Sequence, residues 1–263
     1  MRIATFNCNS IRARMPIILG WLDRYQPDLL ALQETKVADG DFPLEPLCGK
    51  GWKVFFRGEK SYNGVAMITR DSPELVEFGL DDGDGGVSGT RLAHLRLNGI
   101  DVVNTYVPQG QALDSEKFAF KLEWLARLRR YFDARFLPER DKVLWVGDMN
   151  VAPLPMDVHD SKLVWPHVCH CREVIDAFAA VADWGFVDLF RKYLPDPGTF
   201  TFWDYRQRSA YERNRGWRID HVLAGAKLAA AATGCAVDKE PRALERPSDH
   251  TFVFADFNQV SDG

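Results

Sequence analysis

Polar side chains stand at the ends of several apolar segments of this chain. The segments have the apolar pattern of β-strands, and carboxylate, amide, phenol and imidazole groups adjoin them. These groups belong to Asn7, Glu34, Tyr106, Asp148, Asn150, Asp220, Asp249 and His250. A single aspartate or asparagine at such a position is more often a turn residue than a catalyst, so only the whole set indicates chemistry.

A sheet core places these strand ends at one edge, where the carboxylates would repel one another without a cation. Mg2+ prefers oxygen ligands, takes one or two carboxylates and completes its shell with water and phosphate oxygens. We therefore expect Asn7, Glu34 and Asp249 to hold Mg2+. Asp148 and Asn150 are two residues apart, so in extended backbone both side chains face one side and can act on one phosphate.

The composition is that of a globular protein. The chain has 263 residues, of which 46% are hydrophobic and 27% charged, which allows a full core and excludes a disordered or fibrous class. The net charge of -4 argues against a wholly basic nucleic-acid binder, although it is compatible with a local basic surface. Five irregularly spaced cysteines, without a signal-peptide pattern or an apolar run of membrane-spanning length, predict a cytoplasmic protein that binds no membrane.

Short β-rich segments alternate with helical ones. The predicted strands cover residues 2–7, 29–34, 52–59, 64–70, 88–98, 100–107, 142–150, 218–225 and 251–257. Helical spacing predicts helices over about 12–25, 115–136 and 173–184, and Asn98-Gly99 predicts a tight hairpin. This order favours two sheets packed face to face with helices outside. Because no linker divides the chain, we expect one domain over residues 1–258 and a short C-terminal tail over 259–263.

Seven motifs give the chain a specific resemblance. They are TFNCNSIR (5–12), LQETK (32–36), YNGVA (62–66), YVPQG (106–110), GDMN (147–150), NRGWRIDHVL (214–223) and PSDH (247–250). In this order and spacing the sequence resembles the exonuclease III family of abasic-site DNA endonucleases, within the endonuclease/exonuclease/phosphatase superfamily. The resemblance implies an α/β fold of the DNase I-like type: a four-layer α/β sandwich of two packed, mainly antiparallel or mixed β-sheets flanked by helices.

The resemblance also implies metal-assisted phosphodiester hydrolysis with one or two Mg2+ ions, or Mn2+ in their place. The metal-binding set would be Asn7, Glu34, Asp148, Asn150, Asp249 and His250, and the catalytic set Tyr106, Asp148, Asn150, Asp220 and His250. Asp148 would orient or deprotonate the attacking water, and Asp220 would orient His250 toward the phosphate. The choice of general base among Asp148, Tyr106 and His250 stays open.

The segment FTFWDYR to NRGWRID resembles the abasic-nucleotide pocket of the family. Phe202, Trp217 and Ile219 would wall a small apolar pocket that excludes an intact base. A basic rim for backbone phosphates would come from Arg206, Arg208, Arg213, Arg215 and Arg218, with contributions from Tyr62, Asn63, Arg91 and Arg172.

These features predict a monomeric DNA repair enzyme acting on double-stranded DNA with abasic sites or blocked 3' ends. It would incise 5' to the abasic site, leave a 3'-hydroxyl, and act as a 3'-to-5' exonuclease. Two alternatives remain open: an inositol-phosphate or lipid phosphatase or phosphodiesterase of the same superfamily, and a catalytically silent nucleic-acid-binding member.

Overall fold

The computed structural model describes residues 1–83 and 87–258. Within these ranges, twelve strands form two six-stranded sheets. The first sheet contains, in spatial order, β11 (Ala232–Asp238), β12 (Phe252–Phe257), β1 (Arg2–Asn7), β2 (Leu29–Gln33), β4 (Tyr62–Thr69) and β3 (Lys53–Glu59). The second contains β5 (Leu75–Phe78), β6 (Leu92–Leu97), β7 (Ile100–Tyr106), β8 (Val143–Asp148), β10 (Asp220–Gly225) and β9 (Phe186–Asp188).

Both sheets are mixed, because each contains one parallel pair among antiparallel ones. β1 and β2 are parallel in the first sheet, and β7 and β8 in the second. The helices are α1 (Ile11–Tyr25), α2 (Glu45–Cys48), α3 (Glu116–Arg135), α4 (Ser161–Val164), α5 (Arg172–Ala182), α6 (Leu189–Tyr193) and α7 (Ala226–Ala231). No helix in the described ranges is long and apolar enough to span a membrane.

The central core lies between the two sheets. Ile3 and Val253 of the first sheet belong to the same buried cluster as Val102, Leu144 and Val222 of the second. Alternation along each strand directs every second side chain into this core and the others outward.

Helices cover the outward faces and complete four layers. Trp21 of α1 stacks on Phe252 of the first sheet, with ring centroids 4.4 Å apart. On the second sheet, Phe132 of α3 and Phe178 of α5 lie 5.7 and 5.5 Å from the ring of Trp145. Burying such a side chain contributes about 2 kcal/mol. The predicted four-layer sandwich is therefore confirmed.

Strand pairing also places the predicted polar residues at one edge. β1 and β2 end side by side, at Asn7 and one residue before Glu34. In the second sheet, Tyr106 pairs with Asp148, and Asp148 pairs with Asp220. Ends of both sheets thus meet at the same end of the sandwich.

Some elements were not predicted. β9 has three residues, and β11 has the sequence ATGCAVD, whose alanines and glycine have low strand propensity. The predicted strand at 88–98 begins only at Leu92, because Val87–Thr90 form a 3-10 turn. The hairpin is confirmed, since Asn98 and Gly99 both have positive φ, 53° and 70°. The predicted tail at 259–263 lies outside the described residues.

Candidate active site

Asn7 joins carboxylates that come from different sheets. Its Nδ2 donates to Glu34 Oε1 and to Asp148 Oδ2, both at 2.8 Å. An amide that lies between two carboxylates must present N–H groups to them, and Asn7 Oδ1 accepts from the Asn9 backbone N–H at 3.0 Å. In this arrangement the Asn7 amide nitrogen orients the two carboxylates.

Glu34 is held in position by a strained backbone and a lysine. Its φ is 52°, in the left-handed region, which costs about 1 kcal/mol or more for a residue with a Cβ. Lys36 Nζ lies 2.7 Å from Glu34 Oε2 and donates to Asn9 Oδ1 at 2.6 Å. Burial opposes ionisation of Glu34, but Lys36 and Asn7 hold its pKa below the ordinary value. Glu34 is therefore ionised at neutral pH.

His250 is fixed by Asp220. The imidazole Nδ1 lies 2.8 Å from Asp220 Oδ2 and 3.1 Å from Asp220 Oδ1, while Nε2 lies 3.7 Å from Asp148 Oδ2. Burial disfavours the charged imidazole, yet the Asp220 and Asp148 carboxylates raise the pKa of His250 above its ordinary value. The pKa of Asp148 is raised by burial, an effect that the His250 charge opposes. His250 is thus a cation beside a carboxylate that protonates readily.

Glu34, Asp148 and His250 surround one point at which the two carboxylates could hold a metal ion. One ligand atom from each of Glu34, Asp148 and His250 lies within 4.8 Å of the other two. Two carboxylates fit a hard divalent cation, which would also relieve their mutual repulsion. Asp249 lines the same cavity, but its Oδ1 accepts from Asn9 Nδ2 at 2.9 Å and it stands outside this cluster.

The chain turns sharply after Asp148. Asn150 has φ 50°, and its backbone N–H donates to Asp148 Oδ1 at 2.9 Å. The expectation of extended backbone between these residues is therefore wrong, although both side chains do line one cavity. The Asn150 side-chain Nδ2 donates to Val107 O at 3.0 Å, so the amide orientation is fixed.

Tyr106 stands beside the carboxylates with Arg91 over its ring. Burial and the nearby Glu34 and Asp148 raise the pKa of Tyr106 well above its ordinary value, so the phenol keeps its proton. The Arg91 guanidinium lies 5.0 Å from the ring centroid, and Nη1 donates to Tyr106 O at 3.3 Å. Arg91 thus supports Tyr106 directly.

A cavity of about 600 Å³ opens beside the cluster. The predicted apolar residues Phe202, Trp217 and Ile219 line it, and the Phe202 ring lies 4.8 Å from that of His250. His167 was missed as a site residue; its ring lies 4.8 Å from that of Trp217 and narrows the cavity. Other lining residues not predicted are Gln109, Gln111, Cys169, Asp204 and Gln207. Gln109 lies in the YVPQG motif, a signal that could have found it.

Arg218 does not belong to the basic rim. Its side chain is fully buried, with Nε and Nη2 donating to Asp157 at 2.7 and 2.9 Å and Nη1 to Asp188 at 2.7 Å. Two carboxylates stabilise this buried charge, so Arg218 is structural. The sequence could not show this, because both partners lie far away along the chain.

Other predicted substrate-binding residues lie at the cavity mouth, on α5 and in the β3–β4 hairpin. Arg206 lines the cavity mouth and pairs with Asp204 at 2.8 Å. Arg172 pairs with Asp176 one turn along α5. The Asn63 carbonyl accepts from the Lys36 backbone N–H at 3.0 Å, which places the β3–β4 hairpin beside the Glu34 loop. The exposed members of the set are Tyr62, Arg172, Arg206, Arg208, Arg213 and Arg215.

Comparison with known proteins identifies the family. Residues 4–250 match the Endonuclease/Exonuclease/phosphatase family. The chain belongs to this family. It is 34% identical to exodeoxyribonuclease III of Haemophilus influenzae, across 98% of this chain and 100% of that protein.

Solved structures agree with this relationship. An AP endonuclease from Archaeoglobus fulgidus is 44% identical with a TM-score of 0.95, and the match covers 98% of this chain and 99% of that one. A 3' phosphatase from Neisseria, bound to a product DNA hairpin, is 38% identical with a TM-score of 0.92 and the same coverage, 98% and 99%. The present chain is accordingly a hydrolytic nuclease.

Proposed function

We propose that this enzyme is a Mg2+-dependent DNA repair phosphodiesterase. It incises double-stranded DNA on the 5' side of an abasic site and leaves a 3'-hydroxyl. It also trims blocked 3' ends and acts as a 3'-to-5' exonuclease. The enzyme uses one or two Mg2+ ions, which Mn2+ can replace. It acts as a monomer in the cytoplasm.

One observation carries the proposal: the cluster of Glu34, Asp148 and His250 opens directly into a cavity that has an apolar wall on one side. Glu34, Asp148 and His250 form the polar side, and Phe202 and Trp217 form the apolar side of the same space. A nucleotide without its base can rotate into such a cavity and bring its phosphate to the polar side. An intact base must first be unstacked and unpaired, which costs a few kcal/mol, whereas an abasic nucleotide has no base to unstack. This difference favours entry of the abasic nucleotide.

The role assigned to each residue follows from the protonation state of its side chain. Asp148, with a pKa raised by burial, accepts a proton from the attacking water. His250 keeps its charge through Asp220 and stabilises the phosphoryl oxygens. The phenol of Tyr106 stays protonated and donates a hydrogen bond in the same region. Bound Mg2+ supplies further charge neutralisation and lowers the pKa of water. The Glu34 and Asp148 carboxylates would hold it, beside the charged His250, and Asp249 stands near enough to the cavity to serve a second ion.

DNA binding requires a local basic surface, because the chain as a whole has a net charge of -4 and would not attract the phosphates of DNA. The exposed Arg206, Arg208, Arg213 and Arg215 follow the cavity wall along the chain and can contact backbone phosphates. Relatives support the substrate class: one solved neighbour is an AP endonuclease, and another, a 3' phosphatase, is bound to product DNA. Binding should weaken steeply as salt rises.

The test compares several phosphoesters with one enzyme preparation. Duplexes with a stable abasic analogue, with a 3'-phosphate at a nick, or with neither are incubated in Mg2+ or in EDTA, beside inositol trisphosphate. Magnesium-dependent cleavage of the first two duplexes, with the intact duplex cut far more slowly, is expected. Hydrolysis of inositol trisphosphate alone would assign the enzyme to the phosphatase branch of the superfamily. DNA binding without any cleavage would indicate a catalytically silent member.

A further inference from the structure

Lys121 is a fully buried lysine on the inner face of α3. Its hydrogen-bond partners in the described ranges are all neutral, three backbone carbonyls and a thiol. Burial lowers the pKa of Lys121, because the charged ammonium is removed from water. Since an apolar residue would fill this helix position at lower cost, the ammonium calls for an explanation other than core packing.

The three carbonyls come from three different loops around the cavity. Lys121 Nζ donates to Asn150 O and Val168 O, both at 2.7 Å, and to Gln109 O at 3.2 Å. An ammonium has three protons, so this set uses all of them. Gln109 and Asn150 line the cavity themselves, and Val168 adjoins the lining residue Cys169.

Two residues near Lys121, Gly110 and Asn150, have positive φ angles. Gly110 has φ 99°, and a Cβ there would lie 3.3 Å from Lys121 Cδ. Asn150 is held in the left-handed region at φ 50°, a conformation that persists only where neighbouring contacts stabilise it. The hydrogen bond from Lys121 to the Asn150 carbonyl is one such contact. Asn150 lies only two residues after Asp148.

We propose that Lys121 is a positioning residue of the nuclease site. Its ammonium ties the three loops together and fixes the backbone turn that directs the Asn150 side chain into the cavity. Lys121 itself touches no substrate. The inference rests on the proposed function, and within it we assign Asn150 to contact the attacking water or the phosphate.

The test replaces Lys121 by methionine, which keeps length and removes the donors, and by glutamine, which keeps some donors. Lys117→Met, at an exposed position of the same helix, is the matched control. Turnover and KM are measured on the abasic duplex. DNA affinity is measured in EDTA by fluorescence anisotropy. The chemical shift of the Asn150 side-chain amide is followed by NMR of protein carrying 15N-asparagine. The Asn150 signal is identified by its loss in Asn150→Asp.

We expect Lys121→Met to lose about 100-fold in kcat, as misplacement of a reacting group does, with KM and DNA affinity nearly unchanged. The Asn150 amide signal should move, Lys121→Gln should recover part of both losses, and Lys117→Met should match the wild type. If Lys121→Met does not fold, Lys121→Gln against wild type gives the same comparison. Wild-type turnover in the variants, or lost turnover with the Asn150 signal in its native place, would overturn the inference. If the wild-type enzyme cuts neither the abasic duplex nor the 3'-phosphate duplex, the proposed function is refuted instead. The shift of the Asn150 amide signal would still test the positioning role of Lys121.

Discussion

His250 Nδ1 lies 2.8 Å from Asp220 Oδ2, and both side chains are buried. This contact fixes which imidazole nitrogen faces the cavity, because Nδ1 is committed to the carboxylate and Nε2 is left toward Asp148. Together with the nearby Asp148 and Asp249, Asp220 also raises the pKa of His250 to about 10, against the opposing effect of burial. Asp220 therefore fixes the orientation of the imidazole and makes the largest favourable contribution to its charge.

Asp220→Asn should remove the charge while keeping the size of the side chain. We expect kcat to fall by at least about 100-fold, the scale of a lost acid-base contribution. Because the carboxylate raises the His250 pKa, its removal lowers that pKa, and activity should decline at a lower pH than in the wild type. The check is kcat as a function of pH, with Asp256→Asn, which removes a partner of Arg2 at the surface, as control. An alkaline decline that does not move would contradict the assigned role.

Asp148→Asn should nearly abolish turnover and leave the fold intact. Burial raises the pKa of Asp148 from 3.8 to about 7. A carboxyl with a raised pKa favours folding below its unfolded pKa and loses that contribution as pH rises through the folded value. In EDTA, the free energy of unfolding of the wild type should therefore fall relative to the variant between these two pH values, by at least about 1 kcal/mol. Urea denaturation at several pH values measures the difference, and parallel curves for the two proteins would refute it.

Glu34 and Asp249 should differ in their effect on metal binding. Glu34 belongs to the three-residue cluster, whereas Asp249 is hydrogen-bonded to Asn9 outside it. We expect Mg2+ to raise the unfolding temperature of the wild type, and Glu34→Gln to lose most of this increase. Asp249→Asn should retain more of it. Thermal unfolding with and without Mg2+ gives the result, and equal losses in both variants would place Asp249 among the primary ligands.

His167→Ala should widen the cavity. The imidazole lies against Trp217 at 4.8 Å between ring centroids, so its removal leaves space beside the apolar wall. An abasic nucleotide within a strand needs more room than a terminal phosphate. We therefore expect the rate of abasic incision to rise relative to the rate of 3'-phosphate removal. The ratio is measured on the two duplexes in one reaction buffer; an unchanged ratio would show that His167 does not limit entry.

The sequence predicted the fold and the polar cluster because both depend on local signals. Short apolar segments mark β1, β7 and β8, and the motifs LQETK, GDMN and PSDH mark the strand ends that meet. β11 was missed because its alanines and glycine owe their strand conformation to pairing with β12.

Side-chain orientation and long-range partners could not be predicted in the same way. Arg218 looks like a surface cation within NRGWRID, and only the folded chain brings Asp157 and Asp188 to it. The amide of Asn7 turns its nitrogen to the carboxylates because two of them converge on it from different sheets. Such outcomes depend on tertiary contacts rather than on residue type.

The most direct test of the account is the position and chemistry of the cut in a duplex with one abasic site. The 5'-labelled strand is treated with enzyme in Mg2+, and the product is sized on a sequencing gel and its terminus identified by mass spectrometry. The account predicts one product that ends immediately 5' of the abasic position with a 3'-hydroxyl, absent in EDTA and with Asp148→Asn. A product that keeps the abasic residue at its 3' end, or cleavage that persists in EDTA, would contradict it.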